Sequence, residues 1–254
     1  MNPVVYWCPI CRNQFYGIPS PVPISSKSTT TGRNSQYLLT PTNHILILTD
    51  HQPQMIFSVQ SHDIADLRNN IAGLSKTAKL FSIPTILTTI AAATFSGKIL
   101  SEIQSVFPDQ QPIDRTTMNS WEDPRVVRQI NEYGKQKIVI AGLWTEVCLL
   151  EPVLSAISDG YEVYFVSDAS GGVTKEAHDM AVIRMTQAGA TPITWLQYLL
   201  ELQRDWALKE TYNGTLDIVK QHGGAYGLGV IYANEMFGTH YRRTGINHFA
   251  EDQY

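Results

Sequence analysis

Cysteine is scarce in this chain. Only three are spread over 254 residues, and an odd, sparse set makes no disulfide framework. Basic charge is in no excess either: 19 Lys and Arg stand against 23 Asp and Glu, a net charge of −4. A protein that neutralises a phosphate backbone needs the opposite balance, so nucleic acid is not an expected partner. Long apolar runs are missing as well. Nothing approaches the roughly 20 residues that span a bilayer, and stretches such as Ile45 to Leu48 are strand-sized. No basic leader precedes the apolar residues of Met1 to Ile10 and no small-residue cleavage pattern follows them. A soluble, cytoplasmic protein without membrane contact is therefore expected. At this length the chain can bury a full core without covalent staples.

Two of the cysteines form Trp7-Cys8-Pro9-Ile10-Cys11. A redox Cys-x-x-Cys needs a thiolate at a helix N-terminus, but here no strand is expected before the pair, and Pro19, Pro21 and Pro23 argue against a long helix after it. Zinc would need further ligands that the spacing does not supply. Residues Ser25 to Gly32 are small, polar and aperiodic, so residues 1–38 are read as a poorly ordered extension. Metal or redox chemistry at the pair is the alternative.

From Leu39 onward, apolar runs alternate with amphipathic stretches. Strands are expected at His44 to Asp50, Pro84 to Thr89, Lys137 to Ala141, Glu162 to Ser167 and Thr191 to Thr194. Helices are expected at Ile64 to Phe81, Gly97 to Val106, Pro124 to Tyr133, Val147 to Asp159 and Lys175 to Ala188. Strands without polar alternation, separated by helices, predict an α/β fold: a three-layer α/β/α sandwich with a mainly parallel, doubly wound sheet. Ligands of such folds bind outside the carboxyl ends of the strands. Asp50, Asp168 and the stretch from Gly142 to Cys148 lie at such ends.

Cys148 falls where a helix begins. There the dipole and free backbone N–H groups lower a thiol pKa and hold an oxyanion, as attack on a carbonyl requires. The opposing reading is an inert cysteine packed behind the helix. Residues 207–254 begin with a helix from about Trp206 to Lys220. The glycine run Gly223 to Gly229 then ends that helix and lets Val230 to Phe237, an apolar segment, pack closely. Such a segment suits a subunit contact.

Four stretches carry a family resemblance: Leu48-Thr49-Asp50-His51-Gln52, Asp114-Arg115-Thr116-Thr117-Met118-Asn119-Ser120-Trp121, Ala141-Gly142-Leu143-Trp144-Thr145-Glu146-Val147-Cys148, and Ser167-Asp168-Ala169-Ser170-Gly171-Gly172. Over residues 39–206 the chain resembles the isochorismatase-like cysteine hydrolase superfamily, most of all its YcaC-type group. The resemblance implies a triad of Asp50, Arg115 and Cys148, with arginine where the superfamily has lysine. A guanidinium can orient Asp50 and stabilise negative charge, but it does not shuttle protons. It also implies a cis peptide between Leu143 and Trp144, an oxyanion hole from the Trp144 and Cys148 amides, and substrate contacts from Trp144, Gln52 and Asn119. Structural roles compete for three of these: a cap for Asp50, an ion pair for Arg115, a core or interface ring for Trp144.

Nicotinamidases of the superfamily carry metal ligands near the end of the second strand. Here Thr88 to Phe95 contains no His, Asp or Glu, so no metal, no cofactor and no nicotinamidase activity are expected. The seven histidines show no clustering along the chain. The implied function is a metal-free cysteine hydrolase that cleaves a small amide-type (C–N) or related acyl substrate through an acyl-enzyme, within a homo-oligomer. The alternative is a catalytically silent member that binds a small ligand inside an oligomeric scaffold.

Overall fold

The computed structural model describes residues 36–244, with side chains to residue 237, and two backbone segments nearer the N-terminus. The chain divides into two compact units, Met1–Gln36 and Tyr37–Tyr254. In the first, β1 (Val5–Trp7) pairs antiparallel with β2 (Gln14–Tyr16), Tyr6 opposite Phe15. A strand therefore does precede the cysteine pair, contrary to expectation. Its β-branched and aromatic residues, Val5, Tyr6 and Trp7, are good strand formers. Cys8 and Cys11 themselves lie outside the described residues.

The second unit holds six parallel strands: β3 (His44–Thr49), β4 (Thr85–Ile90), β5 (Ile113–Arg115), β6 (Lys137–Gly142), β7 (Glu162–Val166) and β8 (Thr191–Ile193), in the order β5-β4-β3-β6-β7-β8. Helices α1 (Pro53–Phe57), α2 (Ile64–Leu80), α3 (Ser101–Gln104), α4 (Pro124–Tyr133), α5 (Leu150–Ser158), α6 (Lys175–Gln187), α7 (Trp195–Gln203), α8 (Lys209–His222) and α9 (Gly224–Thr244) complete it.

Alternate residues of each central strand face opposite layers, as the two-residue period of a strand requires. Leu46 and Leu48 pack with Leu67, Ile71 and Leu74 of α2 and with Trp195 and Tyr198 of α7. Ile45 and Ile47 pack with Val126 and Ile130 of α4, Val153 of α5 and Met185 of α6. Both faces of the sheet are covered, so the strands need no polar side, and this is the predicted three-layer sandwich. Helix α2 shows the local logic. Asp63 caps it, accepting from the N–H groups of Ala65 and Asp66 at 2.8 and 3.2 Å. Leu67, Ile71, Leu74 and Ala78 then recur on one buried stripe, and each buried leucine or isoleucine side chain is worth about 1.5–3 kcal/mol.

From β3 the chain moves outward to β4 and β5, then returns to β6 on the other side of β3. That reversal opens a crevice above the carboxyl ends of β3 and β6, the place where such sheets bind ligands. The strands approach closely there. A Cβ on Gly142 would lie 3.1 Å from both the Cβ and the carbonyl oxygen of Thr49.

Several local expectations are corrected. β5, α1 and α7 occur where no element was expected, and the helix expected over Gly97 to Val106 shrinks to Ser101–Gln104. Its first part is drawn to the sheet instead, where the Leu100 N–H donates to the His51 carbonyl at 2.8 Å. Gly223 does end α8, but Gly227 and Gly229 lie inside α9, which takes in the whole Val230 to Phe237 segment. A Cβ on Gly227 would strike the Val219 carbonyl, so that glycine permits close contact between α8 and α9. No helix among the described residues is long and apolar enough to cross a membrane.

Candidate active site

The first component sits at the end of β3. There the chain turns through Asp50 with φ 57°, a left-handed conformation that Asp enters more readily than most residues. Its N–H donates to the Thr88 carbonyl at 3.1 Å, holding the turn against β4. The carboxylate is fully buried. The second component arrives from β5, where Arg115 pairs in register with Ile90. Its Nη2 donates to Asp50 Oδ2 at 2.7 Å, and Nη1 donates to the carbonyls of Thr117 and Met118. Both partners of this ion pair are shielded from solvent.

The third component follows β6. The Gly142 N–H donates to Ser170 Oγ at 3.1 Å, Leu143 N–H to the Thr49 carbonyl at 3.1 Å, and Thr145 N–H to the Gly171 carbonyl at 3.0 Å. The Leu143-Trp144 peptide between them is cis. A wide helical turn, Thr145–Leu149, then runs into α5 and carries Cys148, a free and buried thiol. The Trp144 N–H and the Asp50 carboxylate lie near enough to that sulfur to act on its titration. Asp50 Oδ1 has no hydrogen-bond partner among the described residues. Asp50, Arg115 and Cys148, remote in sequence, are thus brought together.

Burial pushes Asp50 up to about 6, against the opposing pull of the Arg115 cation and the Cys148 thiol. Burial also pushes the Cys148 thiol well up, and the Asp50 charge adds to that; Arg115 and the Trp144 N–H act the other way. The expected low-pKa thiolate is therefore corrected to a neutral thiol beside a carboxylate. Desolvation at this depth outweighs the helix dipole.

Above the sulfur lies a cavity of about 460 Å³, walled by Met55, Ile90, Phe95, Met118, Trp144 and Val147. The Trp144 indole is fixed by donating to the Met55 carbonyl at 2.9 Å and to Ser58 Oγ at 3.1 Å. Gln52 and Asn119, expected to touch substrate, do not line this cavity. Gln52 is buried, its Nε2 donating to the carbonyls of Ile90 and Gly97 at 3.2 and 2.6 Å while Oε1 accepts from the Ile90 N–H at 2.9 Å. Asn119 accepts from the Trp121 N–H and donates to Ser155 Oγ, each at 3.0 Å. Both amides are consumed in bracing loops.

Sequence reasoning read Thr88 to Phe95 only for its lack of metal ligands, whereas Ile90 and Phe95 form a wall of the cavity. Met55, Met118 and Val147 were missed too, and of these Met118 and Val147 each adjoin a singled-out position. Among the described residues no three His, Cys, Asp or Glu side chains gather as a metal centre would require. Two histidines do meet, however: the rings of His62 and His178 are 4.7 Å apart, and His178 Nδ1 bonds Thr145 Oγ1 at 2.8 Å, bracing the cysteine loop. Burial lowers His178 to about 4, which keeps it neutral. His51 is fully buried, and its Nε2 donates to the Ala169 carbonyl at 3.0 Å.

Comparison with known proteins points the same way. The family model of the isochorismatase domain matches residues 44–197. The probable hydrolase YcaC of Escherichia coli strain K12 is 38% identical over 162 residues, covering 63% of this chain and 78% of that protein. YcaC from Pseudomonas aeruginosa, solved with hexane-2,5-diol and covalent acrylamide, superposes with a TM-score of 0.74 at 32% identity, covering 81% of this chain and 99% of that one. The crystal structure of E. coli YcaC, an octameric hydrolase of unknown specificity, gives a TM-score of 0.75 at 33% identity, covering 80% and 99%. A family match over more than half the chain, on a sheet that delivers Asp50, Arg115 and Cys148 to one crevice, makes this protein a member of the isochorismatase family, a YcaC-like hydrolase.

Proposed function

We propose that this protein is a metal-free cysteine hydrolase that cleaves a small amide-type or related acyl substrate through an acyl-enzyme on Cys148. The observation that carries the reading is the buried carboxylate of Asp50, held by Arg115 on one oxygen and within reach of the Cys148 thiol at the floor of a cavity. As the sulfur attacks the substrate carbonyl, Asp50 takes the thiol proton, and a C–S bond forms. The Trp144 and Cys148 amides hold the oxyanion. Its collapse breaks the C–N bond, and the Asp50 proton leaves with the amine. Asp50 then draws a proton from water, which adds to the thioester; the acid is released and the thiol regains its proton. Arg115 stays charged throughout, fixing Asp50 and countering the negative charge that builds on sulfur and oxygen.

A raised thiol pKa fits this sequence of events, because deprotonation then accompanies attack and needs no standing thiolate. The covalent acrylamide of P. aeruginosa YcaC lends support, since acrylamide forms a covalent bond only with a nucleophile. The lack of His, Asp and Glu in Thr88 to Phe95 supports a site without a metal. Self-association through the C-terminal extension is part of the proposal. Leu228, Ile231, Tyr232, Met236 and Phe237 of α9 are exposed apolar residues, and E. coli YcaC is octameric.

The test is a screen of small amides and carbamates for ammonia or amine release, with mass spectrometry of the Cys148 peptide. Cys148→Ala should abolish both turnover and adduct while its circular dichroism matches wild type. Hydrolysis of a verified substrate at the wild-type rate by that variant overturns the mechanism.

A further inference from the structure

Resting on that reading, we propose a substrate class: the cavity over Cys148 takes compact, uncharged, largely apolar amides and rejects both anions and cations. Its walls are hydrocarbon and thioether groups with one indole, and among the described residues no charged side chain lines it. The two charges beneath it are committed to one another. Arg115 spends Nη1 and Nη2 on Asp50 and on the carbonyls of Thr117 and Met118, its Nε is unpartnered but buried, and it does not line the cavity, so it presents no accessible fork to a substrate carboxylate. Lys98 lines a separate cleft with Thr89 and Asp114.

A substrate carboxylate would therefore lose its water without gaining a counter-ion, and would sit above the Asp50 charge as well. A substrate ammonium would be drawn to Asp50, the base that the reaction needs free. Apart from Cys148 and the Trp144 indole N–H, which is already bonded to Met55 and Ser58, the polar lining side chain is Ser96. It is fully buried, and its hydroxyl has no partner among the described residues. A neutral hydroxyl suits an amide N–H or C=O and cannot compensate a full charge. The volume of about 460 Å³ falls in the range that holds a small ligand.

Iodoacetamide and iodoacetate test this directly, since they differ in little but charge and each alkylates sulfur by displacing iodide. 2-Bromoethylamine, which displaces bromide, supplies the cationic case. The full-length protein is treated with each, the Cys148 peptide is followed by mass spectrometry, and every rate is divided by that reagent's rate with glutathione. Normalised in this way, iodoacetamide is expected to outpace each charged reagent by about 100-fold or more, the consequence of stranding a charge in an apolar pocket. Met118 is 59% exposed, so Met118→Lys leaves packing intact, and it should narrow the iodoacetamide-to-iodoacetate ratio by about 10-fold, through one added counter-charge at partial exposure. Equal normalised rates for iodoacetate and iodoacetamide refute the selectivity and leave the cysteine mechanism standing. A folded protein whose Cys148 resists all three reagents refutes both.

Discussion

Replacing Arg115 with methionine isolates the buried ion pair, and the structure fixes what should follow. Removing one partner of a buried pair strands the other and costs about 3–5 kcal/mol. In a domain of this size each kcal/mol shifts Tm by about 2–4 °C, so Arg115→Met should melt about 6–20 °C lower at pH 8. Acidity changes this in a definite direction. Asp50 keeps its proton up to about pH 6 in the folded chain, against an ordinary value of 3.8. Between those values the unfolded chain has already released a proton that the folded chain retains. Stability therefore falls as pH rises through that window, by about 3 kcal/mol for this group. Without the Arg115 cation the window extends further upward, so the deficit is largest above pH 7. At pH 5 Asp50 is protonated in both proteins, and the deficit should nearly vanish. Asp50→Asn combined with Arg115→Met removes both charges, keeps a residue that tolerates the left-handed turn, and should recover most of the lost stability. Thermal melts by circular dichroism at one fixed chain concentration, at pH 5 and pH 8, decide the matter. A deficit of equal size at both pH values, or a double variant no more stable than the single, would refute the account of the pair.

Two further substitutions probe groups around the site. Gln52→Met strands the N–H and carbonyl of Ile90 and the carbonyl of Gly97, at about 1–3 kcal/mol for each group left dry. Because Ile90 and Phe95 wall the cavity, KM should rise more than kcat falls; urea titration and steady-state kinetics read the two effects, and unchanged stability would contradict the bracing role. Asp168 caps α7 by accepting from the Trp195 N–H at 2.9 Å, and burial pushes its carboxyl up to about 6. Like Asp50 it costs the fold stability as pH rises from 3.8 to about 6. Asp168→Asn keeps the acceptor and drops the charge, so at pH 8 it should be more stable than wild type by up to about 3 kcal/mol, a gain absent at pH 4; a loss at pH 8 would reverse the argument.

The central strands and the helices packed on them were legible because burial on both faces writes continuous apolar runs, as in Ile45 to Leu48 and Ile138 to Ala141. Ile113-Asp114-Arg115 carries no such signal. It is three residues long with an exposed Asp114, and pairing with β4 alone makes it a strand. The convergence of Asp50, Arg115 and Cys148 was inferred from motifs, since composition and periodicity do not place an arginine from an edge strand under a carboxylate from the centre. Gln52 and Asn119 brace loops instead of lining the cavity for a related reason. An amide beside a strand end can face a ligand or brace a neighbouring loop, and only the fold determines which. The thiol was misjudged because helix position is visible in one dimension and depth of burial is not.

The left-handed turn at residue 50 narrows what that position can become. Few side chains other than those of Asp and Asn accept such a backbone shape cheaply, and glycine accepts it freely; of the three, one alone can accept a proton at neutral pH. Lineages drifting at this site would thus find their easiest replacements among residues that preserve the architecture and extinguish the proposed chemistry. Inactive descendants with an intact scaffold lie a single codon change away, whereas a longer acid would need the main chain itself to be redrawn.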